Sequence, residues 1–481
     1  MAIVEKIFSH SKNTPNNIAI INKNEKISYA ILSKGILAAA SELRNQGIKK
    51  LDYVLLSSPN SYSFICIYFA LHFIGARVVN VSPESDDAYL SFIIKKIEPV
   101  LFIKDCQSFL NNNNALSFVN FTDAEIEEEA IADILFTSGT TSEPKGVPLT
   151  HKQIMIATQH IVNHVKNTKD DIEILLMPLS HSFGMGRMRS VFFMGGTLVI
   201  GYPLQRLKSV FNAMKEHSIT GIGLVPSAWN FITNLSKDKI KNYSSQLNYI
   251  EFGSAHLPKK EKELIADWFP DTNLVMHYGL TEVSRAIFSN FHFDNLESVG
   301  SIKNGAEVLI LNKNEKKIKN EEIGQILFKA PWMISNYFQD KKLNEDSFFN
   351  GYIKTGDIGM IKSGYLYLTG RLNEIINVGG KKVSPIIVED VINGTNFVKE
   401  CACVALSDAN MGEVVQVFIV LEDDIKDNFE NIIVKMKDYI KEKLPVHMRP
   451  QKYNLVKSLP KTENGKIQKS KLDILEVQIS C

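Results

Sequence analysis

From Phe136 to Gly146 the chain reads Phe-Thr-Ser-Gly-Thr-Thr-Ser-Glu-Pro-Lys-Gly. Hydroxyl side chains at Thr137, Ser138, Thr140, Thr141 and Ser142 surround Gly139, and an ammonium group follows at Lys145. The apolar run Ile134-Leu-Phe136 stands directly in front. A short apolar run ending in small, flexible residues predicts a buried strand that passes into a loop. Such a loop can point successive backbone N–H groups at one centre, which makes a concave anion site. The hydroxyls add donors and Lys145 adds a compact positive charge, a set suited to a polyphosphate. A Walker loop is excluded, because there Gly-Lys is followed by Ser or Thr, whereas Lys145 is followed by Gly146 and Val147. Alone, the stretch also fits a hydroxyl-rich surface loop.

Four further segments carry reactive side chains. Met177-Pro-Leu-Ser-His181-Ser-Phe-Gly184 ends a strand with a histidine beside a glycine. His277-Tyr278-Gly279-Leu-Thr281-Glu282 follows the strand-like Asn273-Leu-Val-Met276. Tyr352-Ile-Lys-Thr355-Gly356-Asp357 leads through a hairpin to Thr369-Gly370-Arg371. Leu459-Pro460-Lys-Thr-Glu-Asn-Gly465-Lys466-Ile467 stands near the end. Each segment alone has a plain structural reading: a helix cap, a common turn, a surface loop, a structural histidine. Their joint order over more than 300 residues separates them from chance.

The elements that must position these residues follow a pattern. Helix-like spacing over residues 29–46 and 61–73 alternates with strand-like runs at 52–57, 78–81, 100–103, 172–177, 197–200, 221–225 and 247–252. Such alternation predicts parallel sheets covered by helices. From about residue 297 the texture changes to short β-like runs at 308–311, 324–328 and 364–368, separated by Asn-, Lys- and Gly-rich turns. A small antiparallel barrel is expected there, followed by a separate α+β unit.

A chain of 481 residues is too long for one compact core. Hydrophobic residues at 44% and charged residues at 22% match an ordinary soluble globular protein. A net charge of +1 gives no basis for a nucleic-acid partner. The five cysteines, Cys66, Cys106, Cys401, Cys403 and Cys481, are sparse and odd in number, which argues for a reducing compartment. The first residues carry charges where a signal peptide has its apolar stretch. No apolar run reaches the roughly 20 residues that a membrane span needs. The expected address is the cytoplasm.

Taken together, these segments resemble the adenylate-forming superfamily of acyl-CoA synthetases, nonribosomal peptide adenylation domains and beetle luciferases. The resemblance runs from Ile27-Ser28-Tyr29 to the C-terminus. It implies an α/β fold: a large N-terminal domain of stacked mixed and parallel sheets with helices plus a small β-barrel (1–370), a hinge (371–373), and a small mobile α+β C-terminal domain (374–481) carrying the catalytic lysine. It further implies ATP-dependent activation of a carboxylic acid to an acyl-adenylate, with release of pyrophosphate. The acyl group then passes to the thiol of coenzyme A or of a carrier-protein phosphopantetheine.

The implied cofactors are ATP and Mg2+. The implied phosphate contacts are Thr137, Ser138, Gly139, Thr140, Thr141 and Lys145, with Glu282 and Thr137 toward the metal. Tyr278 would stack on adenine, with Gly253, Ser254 and Ala255 lining its other side and Gly279 and Thr281 completing the nucleotide pocket. Asp357 and Arg371 would hold the ribose. Lys466 would bridge the acid and the α-phosphate, with His181 as a further catalytic residue. After the hinge swings, Gly379-Gly380-Lys381 would face the site.

The sequence departs from the family pattern at Ser142, where another glycine is usual, at Asn373 in the hinge and at Ile387 after Val383-Ser-Pro385. The region around His181 lacks the Phe-Asp pair that holds an α-ammonium group, which favours an acid without an α-amine. Gly279 stands where acetate-specific relatives have a tryptophan, so the acyl pocket is expected to stay open to chains or rings. Arg187 and Arg189 are candidates to pair with a second substrate carboxylate, or to snorkel on a helix face. A stand-alone amino-acid adenylation enzyme and a non-catalytic nucleotide-binding relative are the alternatives. The missing Phe-Asp pair counts against the first; Lys145, Glu282 and Lys466 count against the second.

Overall fold

The computed structural model describes residues 2–111, 124, 126–137, 143–318, 321–422, 425, 427–461, 467–475 and 477–480. Among them the chain forms four sheets. One has eight strands in the order Ser284–Asn290, Asn273–Leu280, Tyr249–Phe252, Gly221–Leu224, Ile172–Ile174, Thr197–Ile200, Ile18–Asn22, Glu25–Ser28. Its central neighbours run parallel and its two outermost pairs are antiparallel. The parallel centre reads as the sequence suggested: all four residues of Gly221–Leu224 are buried, as expected for strands covered on both faces.

A second sheet orders Leu101–Ile103, Tyr53–Leu56, Arg77–Asn80, Ile131–Thr137 and Lys145–Thr150. It is parallel except for the closing hairpin of Ile131–Thr137 with Lys145–Thr150. The helix Tyr62–Phe73 is apolar nearly all round and buried from Phe64 to Phe73, the composition of a helix enclosed within a core. Its start is fixed by Ser61, whose Oγ accepts from Phe64 N at 3.1 Å.

Where the turn-rich sequence predicts a small barrel, six antiparallel strands form a third sheet. It places Tyr352–Lys362 beside Tyr365–Arg371. One core cluster runs continuously from the first helix through the helix Tyr62–Phe73 to this third sheet, reaching Leu366. A second lies under the eight-stranded sheet around Trp229, Phe252 and Phe269.

The last sheet, built from Ile376–Val378, Lys381–Val383, Val398–Asp408, Gly412–Leu421, Lys452–Leu455 and Ile479–Ser480, has its own core from Ile376 to Tyr453. Cys401 and Cys403 lie buried in the strand Val398–Asp408, as their alternating run suggests. No helix among the described residues is long and apolar enough to cross a membrane.

Two segments differ from the sequence reading. The strand expected over 172–177 ends at Ile174, and His181 caps the helix Ser182–Met194 instead of ending a strand. The strand Asn273–Leu280 continues through His277, Tyr278 and Gly279, because Ser284–Asn290 pairs antiparallel along its length. His277, Tyr278 and Gly279 are thus held on a sheet, while Thr281 and Glu282 lie in the turn that follows it.

Candidate active site

The phosphate-loop stretch opens and closes at one point. Thr137 and Lys145 are register partners at the end of the hairpin, so the loop leaves and returns side by side. Ser138, Gly139, Thr140, Thr141 and Ser142 lie outside the described residues, as does Lys466. Lys145 Nζ sits 5.8 Å above the Tyr337 ring, within cation–π range. The Tyr337 hydroxyl donates to Glu282 Oε1 at 2.7 Å. A single aromatic ring therefore brings the loop lysine and the motif glutamate together.

The turn Thr281–Val283 that carries Glu282 is pinned from the same side. Ile334 N donates to Glu282 O at 2.9 Å, and Trp332 Nε1 donates to Val283 O at 2.8 Å. Phe338 N donates to Gly146 O at 2.9 Å. Residues 332–338 thus staple the phosphate hairpin to the glutamate turn. The sequence reading passed over them; the available signal was Trp332, one of only three tryptophans, beside Pro331 in a turn-rich region.

Asp357 sits on the strand Tyr352–Lys362. Its Oδ1 accepts from Arg371 Nε at 2.9 Å and its Oδ2 from the Tyr278 hydroxyl at 2.6 Å. Asp357 and Arg371 are register partners across the hairpin. An ionised carboxylate offers about four acceptor positions, so each oxygen keeps capacity for a sugar hydroxyl. Burial, and then the Asp357 charge, push the Tyr278 phenol well above its usual range and keep it a donor. Gly356 takes φ +74° with nothing near its missing Cβ, so the left-handed backbone itself favours glycine there.

The residues expected beside adenine are set by close packing. A Cβ on Gly253 would lie 2.0 Å from the His277 ring. Ser254 adopts φ +73°, a conformation uncommon outside glycine and therefore a site of stored backbone strain. His277 Nδ1 donates to Glu251 Oε1 at 2.7 Å, and burial holds its imidazole below the usual histidine range. His181 sits on a loop tied to both large sheets. Asn60 accepts from Leu179 N at 2.8 Å and donates to Met177 O at 2.9 Å, and Asn80 donates to Leu179 O. A Cβ on Gly184 would strike Pro178 O at 2.2 Å, so the histidine's neighbouring turn requires glycine.

Two expectations are overturned. Arg187 and Arg189 neither face a substrate carboxylate nor snorkel on a helix face. Arg187 is fully buried, with Nε 2.9 Å from Glu173 Oε1 and Nη1 2.9 Å from Glu251 Oε2. Arg285 Nε reaches the other Glu251 oxygen at 3.1 Å. Arg189 pairs with Asp133, which also meets His72 Nε2 at 2.8 Å and the Tyr68 hydroxyl at 2.9 Å. The helix is enclosed between the two large sheets, so its cations must find internal partners.

Gly279, expected to leave an acyl pocket open, points its missing Cβ elsewhere: at 1.8 Å from Ser284 O and 3.0 Å from Ala286 N. A larger side chain would meet the neighbouring strand's backbone. Gly279→Ala is therefore expected to lower stability by about 1–3 kcal/mol and to depress kcat/KM for every acid alike. Thermal unfolding and kcat/KM across an acid series check this. A change in chain-length preference without loss of stability would restore the pocket reading.

The small C-terminal unit meets this region beside Gly253–Ser254–Ala255. His256 Nε2 lies 2.8 Å from Asp390 Oδ1 on the helix Pro385–Asn393, and Lys260 Nζ donates to Asn396 Oδ1 at 2.8 Å. Lys469 Nζ lies 2.8 Å from Glu389 and 3.3 Å from Glu374. Asn373 precedes this Glu374, and the Leu372 backbone N–H donates to Gly356 O at 2.8 Å.

The residues fit a magnesium nucleotide by the chemistry of the donor set. One carboxylate, Glu282, and hydroxyl oxygen at Thr137 are hard donors. Magnesium is commonly held by one or two carboxylates together with substrate phosphates.

The profile of the AMP-binding enzyme family matches residues 7–338, and that of the AMP-binding enzyme C-terminal domain matches residues 387–466. The 2-succinylbenzoate–CoA ligase of Listeria monocytogenes serotype 4b is 26% identical over 475 residues, covering 95% of this chain and 96% of the relative. The oxalate–CoA ligase of Saccharomyces cerevisiae is 28% identical over 428 residues, covering 86% and 74%. The o-succinylbenzoate CoA synthetase of Bacillus subtilis, solved with its acyl-adenylate intermediate, superposes with a TM-score of 0.86 at 22% identity, covering 98% of both chains.

Proposed function

This chain belongs to the AMP-binding enzyme family, and from that premise we propose that it is an ATP-dependent acid–thiol ligase that uses coenzyme A as acceptor. A carboxylate oxygen of the acid attacks the α-phosphorus of ATP, pyrophosphate leaves, and an acyl-adenylate forms. The thiol then attacks the acyl carbon and AMP departs. ATP and magnesium are its cofactors. A carrier-protein phosphopantetheine presents the same thiol and is the second acceptor within this reading.

The observation that carries the proposal is the path of contacts from Lys145 through Tyr337 to Glu282, together with Tyr278, four residues before Glu282, hydrogen-bonded to the Asp357–Arg371 pair. Two anions must approach each other in the first step, so positioning and charge stabilisation are the protein's main contributions. Lys145, Thr137 and residues 138–141 would hold the terminal phosphates. Glu282, with Thr137, would hold magnesium, which when bound neutralises phosphate charge. Asp357 and Arg371 would orient the ribose, with Tyr278, Gly253, Ser254, Ala255, Gly279 and Thr281 around the base. His181 lines the acid side in this proposal, and Lys466 bridges acid and α-phosphate.

The division into 1–370, a hinge at 371–373 and 374–481 belongs to the same proposal, with the small unit turning between the two steps. Its support is the separate core of residues 376–455. A cytoplasmic address rests on the sparse cysteines.

For the acid, we assign a carboxylic acid without an α-amine. The missing Phe-Asp pair beside His181 supports this. So does the similarity to ligases named for 2-succinylbenzoate and oxalate, neither of which bears an α-amine. The test is acid-dependent ATP–pyrophosphate exchange over a panel of aryl, aliphatic, dicarboxylic and amino acids, followed by thioester formation with coenzyme A. Turnover of amino acids alone would overturn the assignment.

Asp357→Ala is expected to weaken ATP and AMP binding by about tenfold or more, because hydrogen bonds to a charged group contribute roughly 1.5–3 kcal/mol. Calorimetry without acid reads this directly. Unchanged affinity removes Asp357 from the ribose role.

A further inference from the structure

Tyr337 is 4% exposed, and it touches two groups of opposite charge in different ways. Its hydroxyl donates to Glu282 Oε1 at 2.7 Å, and its ring face lies 5.8 Å below Lys145 Nζ. The ring is held by its own backbone. Tyr337 N donates to Asn344 Oδ1 at 2.6 Å, and Asn344 Nδ2 donates to Tyr337 O at 3.2 Å. The next residue, Phe338, is hydrogen-bonded to the phosphate hairpin through Gly146 O at 2.9 Å. A carboxylate and an ammonium brought this near would attract each other strongly in a partly desolvated site. Direct pairing would use up the carboxylate oxygens that a metal needs and the charge that a phosphate needs.

We propose that Tyr337 is a positioning residue for the metal site, fixing Glu282 through Oε1 so that its second oxygen would be left for magnesium and keeping Lys145 on the ring face, available to phosphate. This rests on the reading of Glu282 as metal ligand and Lys145 as phosphate contact. Hydrogen-bond partners that orient a ligating group matter nearly as much as the ligand; their loss commonly lowers metal affinity 10- to 100-fold.

Tyr337→Phe removes the hydroxyl and keeps the ring, so packing and the lysine contact persist. The experiment is calorimetric ATP binding without acid, once with Mg2+ and once with excess EDTA, on the native protein, Tyr337→Phe and Glu282→Gln. In Tyr337→Phe the gain in ATP affinity brought by Mg2+ falls about tenfold while the Mg2+-free affinity stays the same. Half-saturating Mg2+ for pyrophosphate exchange rises in proportion, and kcat at saturating Mg2+ is retained. Acyl transfer from a supplied acyl-adenylate to coenzyme A does not change.

Equal weakening with and without Mg2+ would reduce Tyr337 to a packing role and overturn the proposal. So would no weakening at all while Glu282→Gln loses its Mg2+ response; in that case only the Tyr337 assignment falls. A Glu282→Gln protein with an intact Mg2+ response overturns the metal reading itself, and the proposal with it.

Discussion

Lys466→Ala is expected to reduce acid-dependent ATP–pyrophosphate exchange by at least a hundredfold to a thousandfold while leaving thioester formation from a supplied acyl-adenylate nearly intact. The reasoning is electrostatic. As the acid oxygen approaches the α-phosphorus, negative charge accumulates between two groups that already repel. A preorganised donor at that point contributes about 3–4 kcal/mol of transition-state stabilisation. In the second step the phosphate is part of the leaving group and the attacking thiol comes from elsewhere, so the same lysine has nothing comparable to stabilise. Rapid-quench measurement of each half-reaction separates the two steps. Binding of MgATP, followed by calorimetry, should be little affected, since Lys145, Glu282 and Asp357 remain. Equal losses in both half-reactions would mean that Lys466 serves the whole cycle, and the assignment of one role to one step would fail.

The second large effect concerns stability. Arg187→Met is expected to destabilise the large domain by about 3–5 kcal/mol, since it leaves buried carboxylates without their cation. Glu251 keeps Arg285 and His277, whereas the arginine that Glu173 loses is its ion-pair partner at 2.5 Å. Among the described residues Glu173 would keep the Tyr249 hydroxyl at 2.7 Å and no cation, and so become an uncompensated charge. The double variant Arg187→Met/Glu173→Gln should recover much of the loss, because neutral replacement of a buried pair is often tolerated. Thermal and denaturant unfolding of the three proteins reads the comparison. If the single variant loses less than about 1 kcal/mol, water or relaxation compensates Glu173 and the network is not the support described. If the double variant is worse than the single, Glu173 has partners beyond Arg187 that matter more.

Legibility in the sequence followed the range of the interactions. The strand that enters the 138–142 loop and the Thr355–Asp357 hairpin could be read because their glycines, hydroxyls and apolar residues act within a few positions, whereas the return strand Lys145–Thr150 was not anticipated. Asp357 and Arg371, fourteen positions apart, could still be paired, because a hairpin between strand-like runs sets them opposite. The network of Glu173, Arg187, Glu251, His277 and Arg285 could not. Its members come from four strands and a helix, and no local pattern records that they meet. From sequence, Arg187 and Arg189 could face a substrate carboxylate or snorkel on a helix face; that two sheets enclose their helix is recorded by no local pattern.

Gly279 shows a different limit. A sequence states that a side chain is missing but not which way it would have pointed, and here that direction is the neighbouring strand. Tyr337 was missed because its partners, Lys145 and Glu282, lie 192 and 55 positions away. The loop 138–142 and Lys466 carry a reading from the sequence alone.

The contacts that seat the small C-terminal unit beside residues 253–255 have a practical consequence. His256 and Asp390 are about half exposed, at 50% and 44%, and the Lys260–Asn396 contact is likewise solvent-facing. Exposed pairs of this kind contribute between nothing and about 1 kcal/mol and weaken as salt is added. For the proposed turning of the small unit, ionic strength, rather than temperature, is then the gentle experimental control over how much of the population would rest in this arrangement. Solution scattering over a salt series, with the large domain still fully folded, would separate the seating of the small unit from the stability of everything beneath it.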